Sequence, residues 1–425
     1  MAGKEGLRSL EWKRTGRGTA ERTTSLLACL CECRDGCLHS VGSSLVAKLK
    51  IVFKELGEIV SFLFCIEFWI MAVLWNFSLL VSYVRLFINW MPQAKRVPQK
   101  ASAKTARRPV CVVTGATSGL GAAAARALSR EGFTVVLVGR SSHLLSKMAA
   151  EIQHDNLNAS LKAFQVDVSS FQSILEFKNS LHEWLLESKM HLSIQLLINN
   201  AGILATSSRL SAEGYDQMMA TNYIGIVLLT KLLLPLLRNS PVPSRIVNVS
   251  SFTHLNACTT QCDKDTVTGK KFLGMKHYPY ARIYEYSKLC VLLFTYELHR
   301  QLQVEKCTSV SVNAADPGAV KSKIMRELPT SLSYAAFSFL NLLGLLSLPE
   351  RGVNSILDAA LASPDTSGLY FFGGNGRNIA SSLISHNEEL ASQLWATSTE
   401  IFVSAEIAAE SSSNSKLERG MTICG

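Results

Sequence analysis

The sequence predicts a doubly wound parallel α/β sheet preceded by an apolar N-terminal helix, on three observations. The β-branched run at residues 110–113 leads straight into Thr114-Gly115-Ala116-Thr117-Ser118-Gly119-Leu120-Gly121 and an Ala-rich stretch, which spells a strand, a tight turn and a helix start. Mostly apolar strand-like runs then alternate with helical stretches into the C-terminal third, the pattern of a sheet covered on both faces. Before all of this, residues 59–84 are nearly unbroken apolar and aromatic.

In chain order, residues 1–45 mix Arg, Ser, Thr and Gly without sustained period and are expected to be disordered. Cys29, Cys31, Cys33 and Cys37, with His39, lack the second half of a zinc site, so no metal is expected; S-acylation beside a membrane and no role at all both stay open. Acidic residues at Glu5, Glu11 and Glu21 argue against an organelle transit peptide. Residues 46–91 form a membrane-associated region around the transmembrane candidate 59–84, which is long enough to cross a hydrocarbon core of about 30 Å. Glu67 interrupts it, and a carboxylate at that depth keeps a buried or surface-lying helix as the alternative. Arg85, Lys95, Arg96, Lys100, Lys104, Arg107 and Arg108 follow the span, against Lys48, Lys50 and Lys54 before it. That asymmetry places the C-terminal body in the cytosol. The expected membrane is the endoplasmic reticulum, with an organelle envelope as the alternative. Residues 92–108 read as a linker, 109–402 as the folded body and 403–425 as a disordered tail.

Within the body, strands are expected at 110–113, 134–138, 163–166, 195–198, 245–249 and 309–313. After them come Asp167, then Asn199-Asn200-Ala201-Gly202, then Ser250-Ser251, then Asp316-Pro317-Gly318, all where such sheets bind ligands. The 425 residues are 48% hydrophobic and 18% charged, with a net charge of +10 concentrated before residue 110. No Lys/Arg stripe interleaved with aromatics follows, so a nucleic-acid partner is not expected. Eleven cysteines, scattered singly outside the N-terminal cluster, suit reduced thiols.

Gly115 and Gly119 would let backbone N–H groups approach phosphate oxygens, and Gly121 would let helix and strand pack closely; a purely steric glycine turn is the plainer alternative. At the end of the second strand stand Val138, Gly139 and Arg140, with no acid to hold a ribose 2′-hydroxyl and a guanidinium suited to a 2′-phosphate. NADP(H) is therefore the expected cofactor, unless Arg140 is merely solvated. Tyr284 and Lys288, in Tyr-Glu-Tyr-Ser-Lys, share one face of a helix at i and i+4, where an ammonium would lower the phenol's pKa.

In that order, the glycine turn, Asn-Asn-Ala-Gly, the Ser251 strand end, Tyr-Glu-Tyr-Ser-Lys and the Pro317-Gly318 turn resemble the short-chain dehydrogenase/reductase family. Within it, Val-Asn-Val-Ser-Ser-Phe-Thr-His, the long insertion before Tyr284 and Leu-Trp-Ala-Thr-Ser near the end are similar to the retinol-dehydrogenase-like, WW-domain-oxidoreductase-like and X-chromosomal dehydrogenase/reductase group, without a WW domain. The resemblance implies a Rossmann-type fold with Tyr284 as proton donor and Lys288 on the nicotinamide ribose. It also implies Ser251 on the substrate carbonyl, Asn222 anchoring a relay water, Asp167 at the adenine, and Asn200, Ala201 and Gly202 bracing the cofactor. Ser118 and Leu120 in the glycine turn, Pro317 and Gly318, and Ser322 in place of the family's frequent Thr complete the expected cofactor site. Reversible hydride transfer between NADP(H) and a carbonyl or alcohol follows; a membrane-tethered NADPH sensor with little turnover is the alternative. Residues 332–348, with Phe337, Phe339, Leu340, Leu342, Leu343, Leu345 and Leu346, are apolar on nearly all sides. They are expected to form a lid on the membrane surface for a lipophilic substrate, the alternatives being the protein core or a homodimer interface.

Overall fold

The computed structural model describes residues 53–57, 59–88, 96 and 108–422, with side chains of the last helix described to 411. The N-terminal cysteine cluster, most of the linker and the last three residues lie outside the described residues. Two compact units divide at Ser61 and Phe62, and the second holds the sheet.

The sheet is parallel throughout and runs β3-β2-β1-β4-β5-β6-β9. Its strands are β1 (Val110–Thr114), β2 (Thr134–Gly139), β3 (Ser160–Gln165), β4 (Leu196–Asn199), β5 (Ser244–Val249), β6 (Val310–Asp316) and β9 (Tyr370–Phe372); β7 (Ala319–Val320) and β8 (Leu346–Ser347) pair apart from it. Side-chain alternation sends Val110 and Val112 to one core and Cys111 and Val113 to the other, so hydrophobic burial locks the sheet from both faces. Chain order reverses between β1 and β4, and the crevice at that switch point opens at the carboxyl ends of the strands.

Helix α1 (Ile66–Ile88) precedes the sheet. On one face of the sheet lie α2 (Gly119–Arg130), α3 (Ser142–Asp155) and the later α8 (Asn354–Ala360). On the other lie α4 (Phe171–Glu187), α5 (Gln217–Arg238) and α6 (Tyr280–Val304). Helix α7 (Thr330–Leu342) packs against β8, and α9 (Glu388–Thr422) closes the chain against α6.

Several elements differ from expectation. Strand β3 begins three residues earlier than expected, because at the sheet edge its residues are only partly buried and lack a clean apolar run. The tail from residue 403, expected to be disordered, continues α9 as far as Thr422, its Phe402 and Ala405 packing on the main core. The apolar N-terminal segment is not one helix over 59–84: a turn at Phe64 and Cys65 breaks it, and α1 then runs on to Ile88 through a π-helical stretch at Ile70–Trp75. Helix α1 is long and apolar enough to cross a membrane, yet Glu67, Met71, Ser78, Leu79, Ser82 and Leu86 are buried against the body. Helix α5 passes the same length and composition test, but it is a core helix, 78% buried over its most apolar window.

Candidate active site

The glycine turn between β1 and α2 is built for close approach. Gly115 and Gly119 have φ of +67° and +54°, and a Cβ on Gly121 would lie 2.3 Å from the Gly115 carbonyl oxygen and 2.5 Å from Asn200 Nδ2. Asn200 Nδ2 donates to the Thr114 carbonyl at 2.8 Å, while the Asn200 and Ala201 N–H groups donate to Thr114 Oγ1 at 2.9 and 3.0 Å. Asn200 thus braces the turn, and Thr114, whose place in the motif signals only the turn, ties β1 to β4. Ser118 precedes α2 in extended conformation without a capping hydrogen bond from its side chain, leaving the helix N-terminus free to meet an anion.

A cavity of about 340 Å³ runs from this turn along the switch-point crevice. Gly115, Ser118, Gly119, Leu120, Arg140, Asn200, Ala201, Gly202, Ser251, Tyr284, Lys288, Pro317, Gly318 and Ser322 all line it. The glycine cradle and uncapped helix end fit a dinucleotide pyrophosphate. Asp167 and Asn222 do not line it. Asp167 is outside the wall, which Val166 and Val168 form, and its Oδ1 accepts from the backbone and hydroxyl of Ser169 at 2.9 and 2.6 Å. Asn222 lies in a π-helical turn of α5 and is fully buried; its Oδ1 accepts from the Ile203 N–H at 2.8 Å, and its Nδ2 donates to the Ile203 carbonyl at 2.9 Å and to Ser287 Oγ at 3.3 Å. Its side chain holds the loop after β4, while neighbouring Thr221 reaches the cavity.

At the inner end, Tyr284 and Ser251 stand together in the cavity wall. Lys288 Nζ donates to the Val249 carbonyl at 3.1 Å and stands 5.6 Å from the Tyr284 ring centroid. Gly202 lies close by: a Cβ built there would stand 3.7 Å from that ammonium, an ordinary contact distance. Burial pushes the Lys288 pKa down to about 8, with the Asp316 carboxylate pulling the other way. The expectation that Lys288 lowers the Tyr284 pKa does not hold in this arrangement. Burial first, then the Asp316 charge, push the phenol well up, and the Ser251 hydroxyl only partly offsets them.

Asp316, in the Asp-Pro-Gly turn, takes a structural place that the motif alone does not predict. It is fully buried, accepting from the Tyr370 hydroxyl at 2.6 Å and the Gly318 N–H at 2.8 Å, and burial raises its pKa to about 6. A carboxylate ending a strand, directly before a Pro-Gly turn, is the available signal. His254, buried in the turn after Ser251, has Nδ1 at 2.6 Å from the Ser251 carbonyl oxygen and Nε2 accepting from the Ser382 N–H. Donation from Nδ1 fixes the tautomer, and burial lowers the His254 pKa to about 4.

Beyond Ser251 and Tyr284 lies a second cavity of about 320 Å³. Its walls are Phe68, Met71, Ala72, Trp75 and Leu79 of α1 on one side and Leu332, Ala335, Ala336, Phe337, Phe339 and Leu340 of α7 on the other. Leu342 and Leu343, at the end of α7, are 84% and 50% exposed instead. Among the described residues no group of three or more His, Cys, Asp or Glu side chains is placed to hold a metal ion.

This fold and site define a short-chain dehydrogenase, and the model of that family matches residues 109–262. The chain belongs to the short-chain dehydrogenase/reductase family of oxidoreductases, in its retinol-dehydrogenase-like group. It is similar to polyprenol dehydrogenase from Homo sapiens, 30% identical over 300 residues covering 69% of this chain and 84% of that one. Retinol dehydrogenase 13 from Homo sapiens is 32% identical over 296 residues, covering 68% and 83%. Retinol dehydrogenase 12 from Bos taurus is 33% identical over 295 residues, covering 69% and 85%. Among solved structures, that of an uncharacterized protein from Mycobacterium paratuberculosis matches with a TM-score of 0.52 and 27% identity, covering 70% of this chain and 94% of that one.

Proposed function

We propose that the protein is an NADP(H)-dependent oxidoreductase interconverting a lipophilic carbonyl and its alcohol, with Tyr284 as the proton-transfer group. One observation carries this reading: Ser251 and Tyr284 lie in the wall of both cavities, the glycine-lined crevice and the apolar chamber between α1 and α7. A substrate held in the chamber meets its hydrogen-bonding groups where the crevice ends. That relatives are named for retinol and polyprenol, both lipophilic alcohols, agrees with the chamber's lining.

Bound in the crevice, the nicotinamide supplies or takes a hydride. Ser251 orients the substrate oxygen and stabilises charge developing on it, and Tyr284 gives that oxygen its proton. Tyr284 is protonated at neutral pH, as a phenol of ordinary or raised pKa is, and that is the form that reduction needs. Lys288, buried beside Gly202, can exchange its bond to the Val249 carbonyl for a ribose hydroxyl. The test is NADPH oxidation by the purified protein over a panel of lipophilic aldehydes; cofactor binding without turnover would instead favour a sensor.

Arg140 is exposed at the crevice mouth, where it would pair with a 2′-phosphate. Arg126, the other basic candidate, is committed to Glu151 and Asp155 of α3. Arg140→Asp places a carboxylate against the phosphate and should lower the ratio of kcat/KM for NADPH over NADH by about tenfold or more. An unchanged ratio would move the phosphate site, with Ser118 next in line.

The face of α1 turned from the body is apolar and open: Phe77, Leu80, Val84, Phe87 and Ile88 are 46–84% exposed. This face and the exposed end of α7 are suited to lipid, with the catalytic body on the cytosolic side. Protease added to sealed microsomes should degrade the body. Carbonate extraction then separates the two membrane modes: retention means a spanning segment, and release means α1 lies in the surface. Protection from protease would reverse the assigned side.

A further inference from the structure

Helix α6 carries Tyr284 in its second turn, yet its first turn has no cap of its own: Pro279 precedes it, no side chain caps it locally, and it holds no acidic residue. The N–H groups of Ala281 and Arg282 donate instead to Glu67 Oε2, at 3.0 and 3.3 Å, across more than two hundred residues of sequence. Glu67 is 4% exposed on an otherwise apolar helix, and its negative charge sits at the positive end of the α6 dipole. Roughly two turns further along α1, Trp75 donates its indole N–H to Glu285 Oε1 at 2.6 Å, and its ring lies 5.4 Å from that of Tyr284. Ser78, next on the same face, donates to Asn256 at 2.7 Å, in the turn that follows Ser251. A helix that only held the protein in lipid would gain nothing from these directed polar contacts.

We propose that α1 is a positioning element of the active site, in which Glu67 caps the catalytic helix and Trp75 holds the ring of Tyr284. Its catalytic consequence rests on the function proposed above, whereas the cap is a property of the chain alone. The segment that reads as a membrane anchor therefore also sets the geometry of the proton donor. Glu67 acts through the α6 backbone, and Trp75, which also lines the chamber, through the Tyr284 ring and Glu285.

The test uses the full chain in detergent micelles, with two readouts. In hydrogen–deuterium exchange, Glu67→Ala should speed exchange of the amides at 281 and 282 by about tenfold or more while leaving α2 unchanged. Glu67→Gln, whose carbonyl still accepts but which lacks the charge at the helix end, should fall between. In kinetics with NADPH and a lipophilic aldehyde, Trp75→Leu should lower kcat by about tenfold or more, with NADPH affinity within about twofold, because a misplaced donor costs rate rather than cofactor binding. Trp75→Phe, which keeps a ring and loses the N–H, should fall between. Unchanged exchange in Glu67→Ala together with unchanged kcat in Trp75→Leu would overturn the proposal, as would parallel losses of NADPH affinity and kcat, which mark general destabilisation. Should Glu67→Ala not fold, the two Trp75 variants decide, and wild-type kcat in both overturns it. A wild-type protein without turnover would remove the proposed function, and the exchange result would then decide the cap alone.

Discussion

Tyr284→Phe is expected to lower kcat for aldehyde reduction by about 10²-fold or more, the usual contribution of a positioned general acid, while NADPH affinity stays nearly unchanged. The separation follows from the geometry. The phenol sits beside Ser251 at the meeting point of crevice and chamber, away from the glycine turn that would hold the phosphates. Removing the hydroxyl leaves the ring, its contact with Trp75 and the helix intact. Lys288→Ala should damage both parameters, because this side chain lies against Gly202 in the crevice as well as beside Tyr284. Steady-state kinetics with direct NADPH titration check both variants. Retention of more than about a tenth of the wild-type rate in Tyr284→Phe would require another acid.

Ala336→Trp is expected to abolish selectivity for long substrates. Ala336 faces the chamber from α7, and Ala72 lines the same chamber from α1. None of the α7 side chains is fully buried, so an indole added there narrows the chamber without opening a core. A chamber of about 320 Å³ is within the usual range of small-molecule sites. Each methylene buried in it contributes about 0.8 kcal/mol, so two are worth about tenfold in kcat/KM. In the variant, kcat/KM for a long or isoprenoid aldehyde should drop to the level of a short one, with the short one changed by less than about twofold. An equal loss for both lengths would mean that the substitution distorts the reacting centre, not the chamber.

The body of the fold was legible because its signals are local. A β-branched run, three glycines at fixed spacing and a polar residue at each strand end all follow from the needs of a single turn or strand. Strand β9 escaped because three residues, Tyr370 to Phe372, carry no period, and their place beside β6 comes from tertiary packing. The same contrast runs through the site. Gly115, Ser251, Tyr284 and Lys288 stand in short motifs and converge on one cavity. Asp167 follows its strand as expected, yet its carboxylate turns to Ser169, a loop choice that spacing does not encode. Glu67 was visible only as a charge in a hydrophobic run; its partners, the amides of Ala281 and Arg282, are far away in sequence. Trp75 had no signal at all, because an aromatic residue in an apolar helix is ordinary until its neighbour proves to be Tyr284.

The central claim, reduction of a lipophilic carbonyl at Ser251 and Tyr284, is tested most directly by a chain-length series. NADPH oxidation by the wild-type protein in detergent would be followed with aldehydes from short alkyl to long and isoprenoid. The account predicts that kcat/KM rises by at least about tenfold across the series as methylenes fill the chamber between α1 and α7. Equal efficiency for short and long aldehydes would contradict it and leave a small soluble carbonyl as the substrate class.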